Sequence, residues 1–485
     1  MPAATRARGP RVKVPAGAKY DPVQGDRAVR FFERFLRHQK GRWAGRPFVL
    51  EPWQADDIVR PLFGTVDAKT GLRWYREALV GLPRKNGKSE LAAGIALYLL
   101  IADGEHGAEV YSVAGDKKQA GLVYKTAADM VRASAFRTAC KVYRSVLEVP
   151  ETNGLYRVLS ADADLQHGLN PHGAVVDEYH IHRNAEQYEA LRSGTGAREQ
   201  PLILVITTAA SEKRGPLFEL YERGKAGTNP RAFFYWRGVP PGTPVSDLAA
   251  FKQANPASWI TEAFLAEQAA SLPEPVFRRL HGNEWWEGSR HMWVPREAWD
   301  ACAGPVELEL GHPTVVAVDA ASRRDTTALA LVQKHGEEYR CRVWIMRADE
   351  EVGYLDYQQV ENLLRDLAST YDVRRIGFDP YQMVPVAQRL DAEGLPVELF
   401  PQSHTRMVPA SMLLYDLVRE GRLRHDGDPD VTDQVLSAGV SEVAQGWRLD
   451  KRKGNRSIDS AIALAMACQM AKWEDEYSAP TVLVI

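Results

Sequence analysis

Apolar positions in the first two hundred residues fall into short unbroken runs separated by longer stretches of helical period. Four of these runs, YREALVGL at 75–82, AEVYSVAG at 108–115, GAVVDE at 173–178 and PLILVITT at 201–208, lack the alternation of a half-exposed strand. Strands of that kind are buried on both faces, which predicts a parallel sheet covered by helices, an α/β domain. Between Pro240 and Trp299 the texture changes to PPGTP, NPASW and LPEP, with helical stretches TEAFLAEQAASL and VFRRLHGNEWW, which predicts a small helical subdomain and linker. From Thr314 three strand candidates follow in succession, TVVAVDA, TTALALVQ and YRCRVWIM, before helix and strand alternate again. The expected organisation is an arm at 1–25, a first α/β domain at 26–240, the helical unit at 241–300, a second α/β domain at 301–475 and a tail at 476–485.

Composition narrows the class. With 485 residues the chain exceeds one ordinary domain, and 45% hydrophobic with 26% charged residues excludes a disordered or fibrous chain. The four cysteines, Cys140, Cys302, Cys341 and Cys468, lie far apart, so neither a zinc ribbon nor a disulfide framework is expected. No apolar run reaches membrane-spanning length, and the start MPAATRARGPRVKV lacks the apolar stretch of a signal peptide, so a soluble, intracellular protein without a membrane partner is expected. A net charge of -2 says nothing against nucleic acid, because a basic surface can be confined to a groove. Arg6, Arg8, Arg11, Lys13 and Lys19 form a basic arm suited to phosphate, or simply a solvated tail.

The segment GLPRKNGKSE at 81–90 follows a strand and leads into the helical run LAAGIALYLL, the context of a phosphate-binding loop. Backbone amides of Arg84, Lys85, Asn86, Gly87, Lys88 and Ser89 would cradle the phosphates of ATP. Lys88 would reach the β- and γ-phosphates, and the Ser89 hydroxyl would bind Mg²⁺. The usual spacing demands glycine at position 82, where this chain has Leu82, with Gly81 one place early. In GAVVDEYH, Asp177 would share the Mg²⁺ with Ser89 while Glu178 polarises the attacking water; a surface Asp-Glu pair ending a strand is the plain alternative. Gln54 in LEPWQ offers an amide to adenine with Trp53 packed nearby, and Thr207 and Thr208 in ITTAAS are placed to sense the γ-phosphate or merely to cap a strand.

This order, Trp-Gln, phosphate loop, Asp-Glu, then Thr-Thr-Ala, resembles the large terminase subunits of tailed bacteriophages across the N-terminal half. These motors lack the first glycine of the standard loop and carry an arginine four residues before the lysine, so the resemblance implies that Arg84 contacts the γ-phosphate. Ring-forming motors also take an arginine from the neighbouring subunit; Arg198 is the candidate, with Arg192 and Arg214 as rivals.

The second α/β half follows the strand and helix order of a ribonuclease-H-like domain. Asp319 ends the first strand run and Asp379 the fourth, RRIGFD; in that fold these strands are neighbours, and Asp459 opens the last helix across the same end. Three converging carboxylates repel one another without cations, so two Mg²⁺ or Mn²⁺ ions for phosphodiester hydrolysis are expected. Asp325, in the turn ASRRDTT, reads as a turn aspartate or an outer-shell group, and the acidic run HDGDPDVTD at 425–433 as a polar loop. FPQSHTRMVPAS at 400–411 and Asn455-Arg456 extend the terminase resemblance, while Lys451, Arg452, Lys453 and Arg456 form a basic run suited to a DNA backbone or to solvent.

The resemblance implies an α/β chain with an N-terminal P-loop ATPase, a helical lid or linker and a C-terminal nuclease. Such a protein drives double-stranded viral DNA into a procapsid and cuts concatemers. It further implies a homo-oligomeric ring, pentameric on the portal protein, a terminase small subunit as partner, and a place in the host cytoplasm but not in the mature virion. Three other readings stand beside it: a helicase-like translocase-nuclease of restriction or repair, an integrase-like recombinase, and a silent DNA-binding scaffold.

Overall fold

The computed structural model describes residues 14–113, 117–159, 168–182, 184–210, 213–285, 293–320, 326–347, 356–443, 446–450 and 457–478. Arg6, Arg8, Arg11, Lys13, Asp325, Lys451, Arg452, Lys453, Asn455 and Arg456 lie outside these residues. The chain divides into two compact units, Met1–Glu287 and Gly288–Ile485. The helices Leu248–Ala254, Glu262–Ser271 and Glu274–Gly282 fall in the first unit, around a small core that includes Phe251, Leu265 and Phe277, and the helix Arg296–Asp300 falls in the second. Among the described residues no helix is long and apolar enough to cross a membrane.

In the first unit, β1 (Ala18–Tyr20) pairs with β2 (Thr65–Asp67). The main sheet holds β3 (Glu77–Gly81), β4 (Glu109–Val113), β5 (Lys141–Val142), β6 (Val146–Val149), β7 (Gly154–Val158), β8 (Gly173–Asp177), β9 (Leu202–Thr207) and β10 (Ala232–Trp236). Their order is β10-β3-β9-β8-β4-β7-β6-β5; β10 through β7 are parallel, and β6 and β5 extend the edge antiparallel.

The four expected strands are β3, β4, β8 and β9, and their burial explains their unbroken apolarity. Ala78, Val80, Val110, Val175, Leu204 and Ile206 pack with Phe32 and the helix Lys88–Ile101 on one face. The intervening Leu79, Tyr111, Ala174, Val176, Ile203 and Val205 pack with Tyr188, Leu191 and Leu217 on the other. β9 lies between the strand that leads into the phosphate loop and the strand that ends in Asp177, so Thr207 stands between them at the same sheet edge.

The second unit is built on β11 (Thr314–Ala320), β12 (Thr326–His335), β13 (Glu338–Arg347), β14 (Val373–Phe378), β15 (Val397–Leu399) and β16 (Leu423–Arg424), in the order β15-β14-β11-β12-β13-β16. β17 (Gly439–Val443) and β18 (Gly446–Asp450) form a separate hairpin. β11, β12 and β13 are antiparallel, and β14 joins β11 in parallel, so the first and fourth strands are neighbours as expected. Val316, Val318, Leu329, Leu331, Ile376 and Phe378 share one face with the helices Tyr357–Thr370 and Pro380–Ala392. The opposite face alternates to Ala317, Ala328, Ala330 and Gly377. These small residues admit the helix Asp459–Ser478, and a Cβ at Gly377 would come within 2.4 Å of the Met470 sulfur. The run HDGDPDVTD is a helix start rather than an open loop: Asp428 accepts from the Asp430 and Val431 amides and caps the helix Pro429–Ser437.

Close approach also governs the helix Lys88–Ile101, where a Cβ on Gly94 would stand 2.1 Å from Phe32 Cε1. Phe32 is fully buried, with Phe48 at 5.4 Å edge-on, so its ring has nowhere to retreat. Gly94→Ala gains about 1 kcal/mol of helix propensity but overpacks the core by about 1–3 kcal/mol. The expected outcome is net destabilisation of the first unit in denaturant melts, largely relieved by adding Phe32→Leu.

Candidate active sites

The phosphate loop begins where β3 meets β10. Gly81 is required by Trp236: a Cβ there would lie 2.0 Å from the indole. The early glycine therefore serves sheet packing, and Leu82 takes the next position fully buried, its amide donating to the Thr207 carbonyl at 3.0 Å. Lys85 and Gly87 both adopt left-handed backbone, with φ of 67° and 72°. The Lys85 conformation, costly by about 1 kcal/mol for a residue with a Cβ, is braced by the Trp259 indole, which donates to the Lys85 carbonyl at 2.8 Å. Asn86 turns inward. Its Nδ2 donates to Asn255 Oδ1 at 2.8 Å, and its Oδ1 accepts from the Ala257 amide at 3.2 Å, tying the loop to the helical segment.

Lys88 opens the helix Lys88–Ile101 and is buried. Its Nζ donates to the Leu82 and Pro83 carbonyls at 2.9 and 3.1 Å and to Thr208 Oγ1 at 2.6 Å. Burial pushes the ammonium down to about 8, opposed by Glu178 and Asp177. Asp177, 4% exposed at the end of β8, is pushed up to about 7 by burial and by Glu178, with Lys88 acting the other way. Glu178 is subject to the same burial, but the His180 ring, Lys88 and Arg84 outweigh it and hold the carboxyl down at about 2.

Glu178 also has left-handed backbone, with φ of 48°. That turn brings its Oε2 within 3.1 Å of His180 Nδ1, which is itself 3.2 Å from Thr207 Oγ1. Burial lowers the Arg279 guanidinium to about 10; Arg84 adds to that shift and Glu178 opposes it, which places Arg279 within electrostatic reach of both. Arg84 is exposed at the same place, its backbone amide donating to the Leu280 carbonyl at 2.7 Å. Gln54 is buried, with Oε1 accepting from the Glu51 amide at 3.0 Å. Its Nε2 would lie 3.7 Å from a Cβ on Gly87, while Trp53 donates to Glu51 at 2.7 Å.

Arg198 is not at this edge. Its guanidinium, 9% exposed, binds Glu105 at 2.8 Å, Glu109 at 3.4 Å and the Asn170 and Gly107 carbonyls. Glu109 starts β4, so these partners stand at the opposite end of the parallel sheet. To reach a neighbouring subunit, Arg198 would have to give up these bonds. Arg192 pairs with Glu77 at 3.0 Å at that same far end, whereas Arg214 is exposed in the segment that follows β9.

In the second unit the ladder pairs Val318 with Phe378, so Asp319 and Asp379 are the next residues on adjacent parallel strands. Equivalent positions point to one face, here the face of the helix Asp459–Ser478. Across β11, Asp319 pairs with Ala328, and Thr326, two residues away on the same face, hydrogen-bonds Asp459. The three acids thus come to one sheet end. Gln402 Nε2 donates to Asp319 Oδ1 at 2.6 Å. Gln434 bridges Thr326 at 2.8 Å to the Ser460 amide at 2.9 Å, fixing the helix start that carries Asp459.

The sequence alone does not single out His180, Arg279, Gln402 or Gln434. His180 and Gln402 fall inside stretches that it does mark, GAVVDEYH and FPQSHTRMVPAS, whereas Arg279 and Gln434 arrive from distant helices without a local signal.

Residues 52–226 match the family model described as terminase large subunit, ATPase domain, and residues 332–475 match terminase large subunit, endonuclease domain. The chain belongs to the terminase large subunits. It is an ATPase and an endonuclease, and these matches favour neither the helicase-like nor the integrase-like reading. The terminase large subunit of Enterobacteria phage HK97 is 28% identical over 502 residues, covering 93% of this chain and 96% of that protein. The crystal structure of the HK97 large terminase aligns at 26% identity over 92% of this chain and all of that one, with a TM-score of 0.49. The large terminase of a thermophilic bacteriophage shares the fold at 9% identity, with a TM-score of 0.50 over 82% of this chain and 93% of that one.

The raised Asp177 gives a signed expectation. Between pH ~4 and ~7 the folded terminase holds a proton that the unfolded chain has released, so stability falls as pH rises through that window. Without nucleotide or Mg²⁺, Asp177→Asn should therefore be more stable than the parent at pH 8 by about 2–4 kcal/mol. The advantage should vanish near pH 4. Equal pH profiles in calorimetry would show that the carboxylate is not held uncompensated.

Proposed function

We propose that ATP binds at the Arg84–Ser89 loop and is hydrolysed by Glu178, and that DNA is cut at Asp319, Asp379 and Asp459. The observation that carries the first part is the charge pattern: Lys88, Arg84 and Arg279 face two carboxylates, an excess of positive charge that suits a polyphosphate. The buried, proton-raised Asp177 suits a dication, with Ser89 as its second oxygen donor. When bound, Mg²⁺ neutralises charge that develops on the phosphates.

Lys88 would exchange the Leu82 and Pro83 carbonyls for phosphate oxygens, releasing Thr208. Glu178, kept ionised beside His180, would orient and deprotonate water; His180 would report its state to Thr207. Gln54 stands near Gly87 and would offer its amide to the base, with Trp53 one residue before it. At the nuclease end all three side chains are hard oxygen donors, which suits two Mg²⁺ or Mn²⁺ ions positioning water and phosphodiester. Gln402 would orient Asp319, and Gln434 would hold Asp459 through the helix start.

The domain reading is residues 26–240 as motor, 241–300 as helical lid or linker, of which the part up to Gly282 would move with the loop through Asn86 and Asn255, and 301–475 as nuclease. Family membership supports double-stranded DNA as substrate, a portal-bound ring, a small subunit as partner and work in the host cytoplasm. Exposure favours Arg214 over Arg198 as the residue offered to a neighbouring subunit.

Glu178→Gln should lower ATP turnover about 10²–10⁴-fold and spare plasmid cleavage. Asp379→Ala should do the reverse; loss of both activities in both variants would refute two separate sites. In mixtures of inactive subunits, Arg214→Ala with Glu178→Gln should recover ATPase. Arg198→Ala should instead lower the melting temperature.

A further inference from the structure

At the end of the second sheet opposite Asp319 and Asp379, the antiparallel register of β11 and β12 continues outward. Thr314 pairs with Gln333, so His312 and His335, two residues beyond each, come opposite one another. Their rings stack at 3.8 Å and 11°. Glu309 joins them, and one donor atom from each of the three lies within 4.8 Å of the others. We propose that Glu309, His312 and His335 form a binding site for a transition-metal dication of the zinc type, separate from the nuclease acids.

The tautomer is arranged for it. His312 Nε2 lies 2.8 Å from the Lys334 carbonyl, which accepts, so Nε2 carries the proton and Nδ1 keeps its lone pair. His335 Nδ1 is 3.8 Å from Glu309 Oε1, and its Nε2 is buried without a hydrogen-bond partner.

Support behind the ligands is also in place. The fully buried Gln333 accepts from the Glu309 amide at 2.8 Å and donates to its carbonyl at 2.7 Å and to Thr314 Oγ1 at 2.9 Å, fixing the backbone from which Glu309 projects. Tetrahedral zinc with bonds of about 2.0–2.1 Å needs donors roughly 3.4 Å apart. The cluster must therefore close, and the two imidazoles must turn out of their stack, because a metal lies in the plane of each ring that binds it. Glu309, 60% exposed, is also able to turn. It would give up Arg340 at 3.6 Å, which keeps Glu338 at 3.0 Å and the Glu307 carbonyl at 3.2 Å. Two imidazoles select zinc-like ions over Mg²⁺, the opposite preference to the all-carboxylate end.

The test is Zn²⁺ titration calorimetry on the full chain in excess Mg²⁺, comparing the parent, Glu309→Gln, the double variant His312→Ala with His335→Ala, and Asp379→Ala. The parent and Asp379→Ala should share a zinc site that the double variant lacks and that Glu309→Gln weakens at least about tenfold. Co²⁺ should give visible tetrahedral absorption in the parent that both cluster variants lose. If the double variant fails to fold by circular dichroism, the exposed Glu309→Gln decides alone. Zinc affinity and stoichiometry unchanged by Glu309→Gln or by the folded double variant would overturn the proposal.

Discussion

An ammonium group withdrawn from water at the end of an apolar sheet sets the terms for the ATPase unit. Lys88 can be buried only because two loop carbonyls and Thr208 surround it and because Asp177 and Glu178 stand within range. Those groups come from the ends of three neighbouring strands, so the order β3-β9-β8 is what assembles them. The same burial that weakens the ammonium also raises Asp177, and the site before nucleotide arrives is a set of charges each held at some cost. In the proposed reading polyphosphate and dication would relieve that cost together, which would leave binding energy for moving the loop.

The nuclease unit solves a different problem, bringing three like charges together, by steric rather than electrostatic means. Ala317, Ala328, Ala330 and Gly377 leave room on one sheet face, and the helix Asp459–Ser478, buried along most of its described length, sinks into it. Its first residue is then delivered beside Thr326 and the strand ends. Larger residues at those four positions would lift the helix and disperse the acids without touching any of them.

Burial on both faces makes β3, β4, β8 and β9 readable, because a strand covered on one side only would alternate; the ends of β8 and β9 then locate Asp177 and Thr207, as the ends of β11 and β14 locate Asp319 and Asp379. β10 is harder to see because AFFYW is aromatic and half-buried at a sheet edge, and the β17–β18 hairpin because GVSEV and GWRLD mix apolar and polar positions instead of forming an unbroken apolar run. Arg198, in a polar loop, reads as exposed, and only the fold reveals Glu105 and Glu109 closing on it from nearly a hundred residues away. His180 and Gln402 lack a signal of their own, since their roles depend on which neighbour they face. Gly81 looks like a displaced loop glycine and is in fact the seat of Trp236.

Asn86 and Asn255 join the phosphate loop to the helical segment through a hydrogen bond between two amides with no formal charge. Salt screens ion pairs and strips proteins from DNA phosphates steeply, but it scarcely alters a buried hydrogen bond between neutral groups. A motor that gripped DNA by charge and carried loop movement through this pair would let go of its track as the electrolyte changed without loosening that contact.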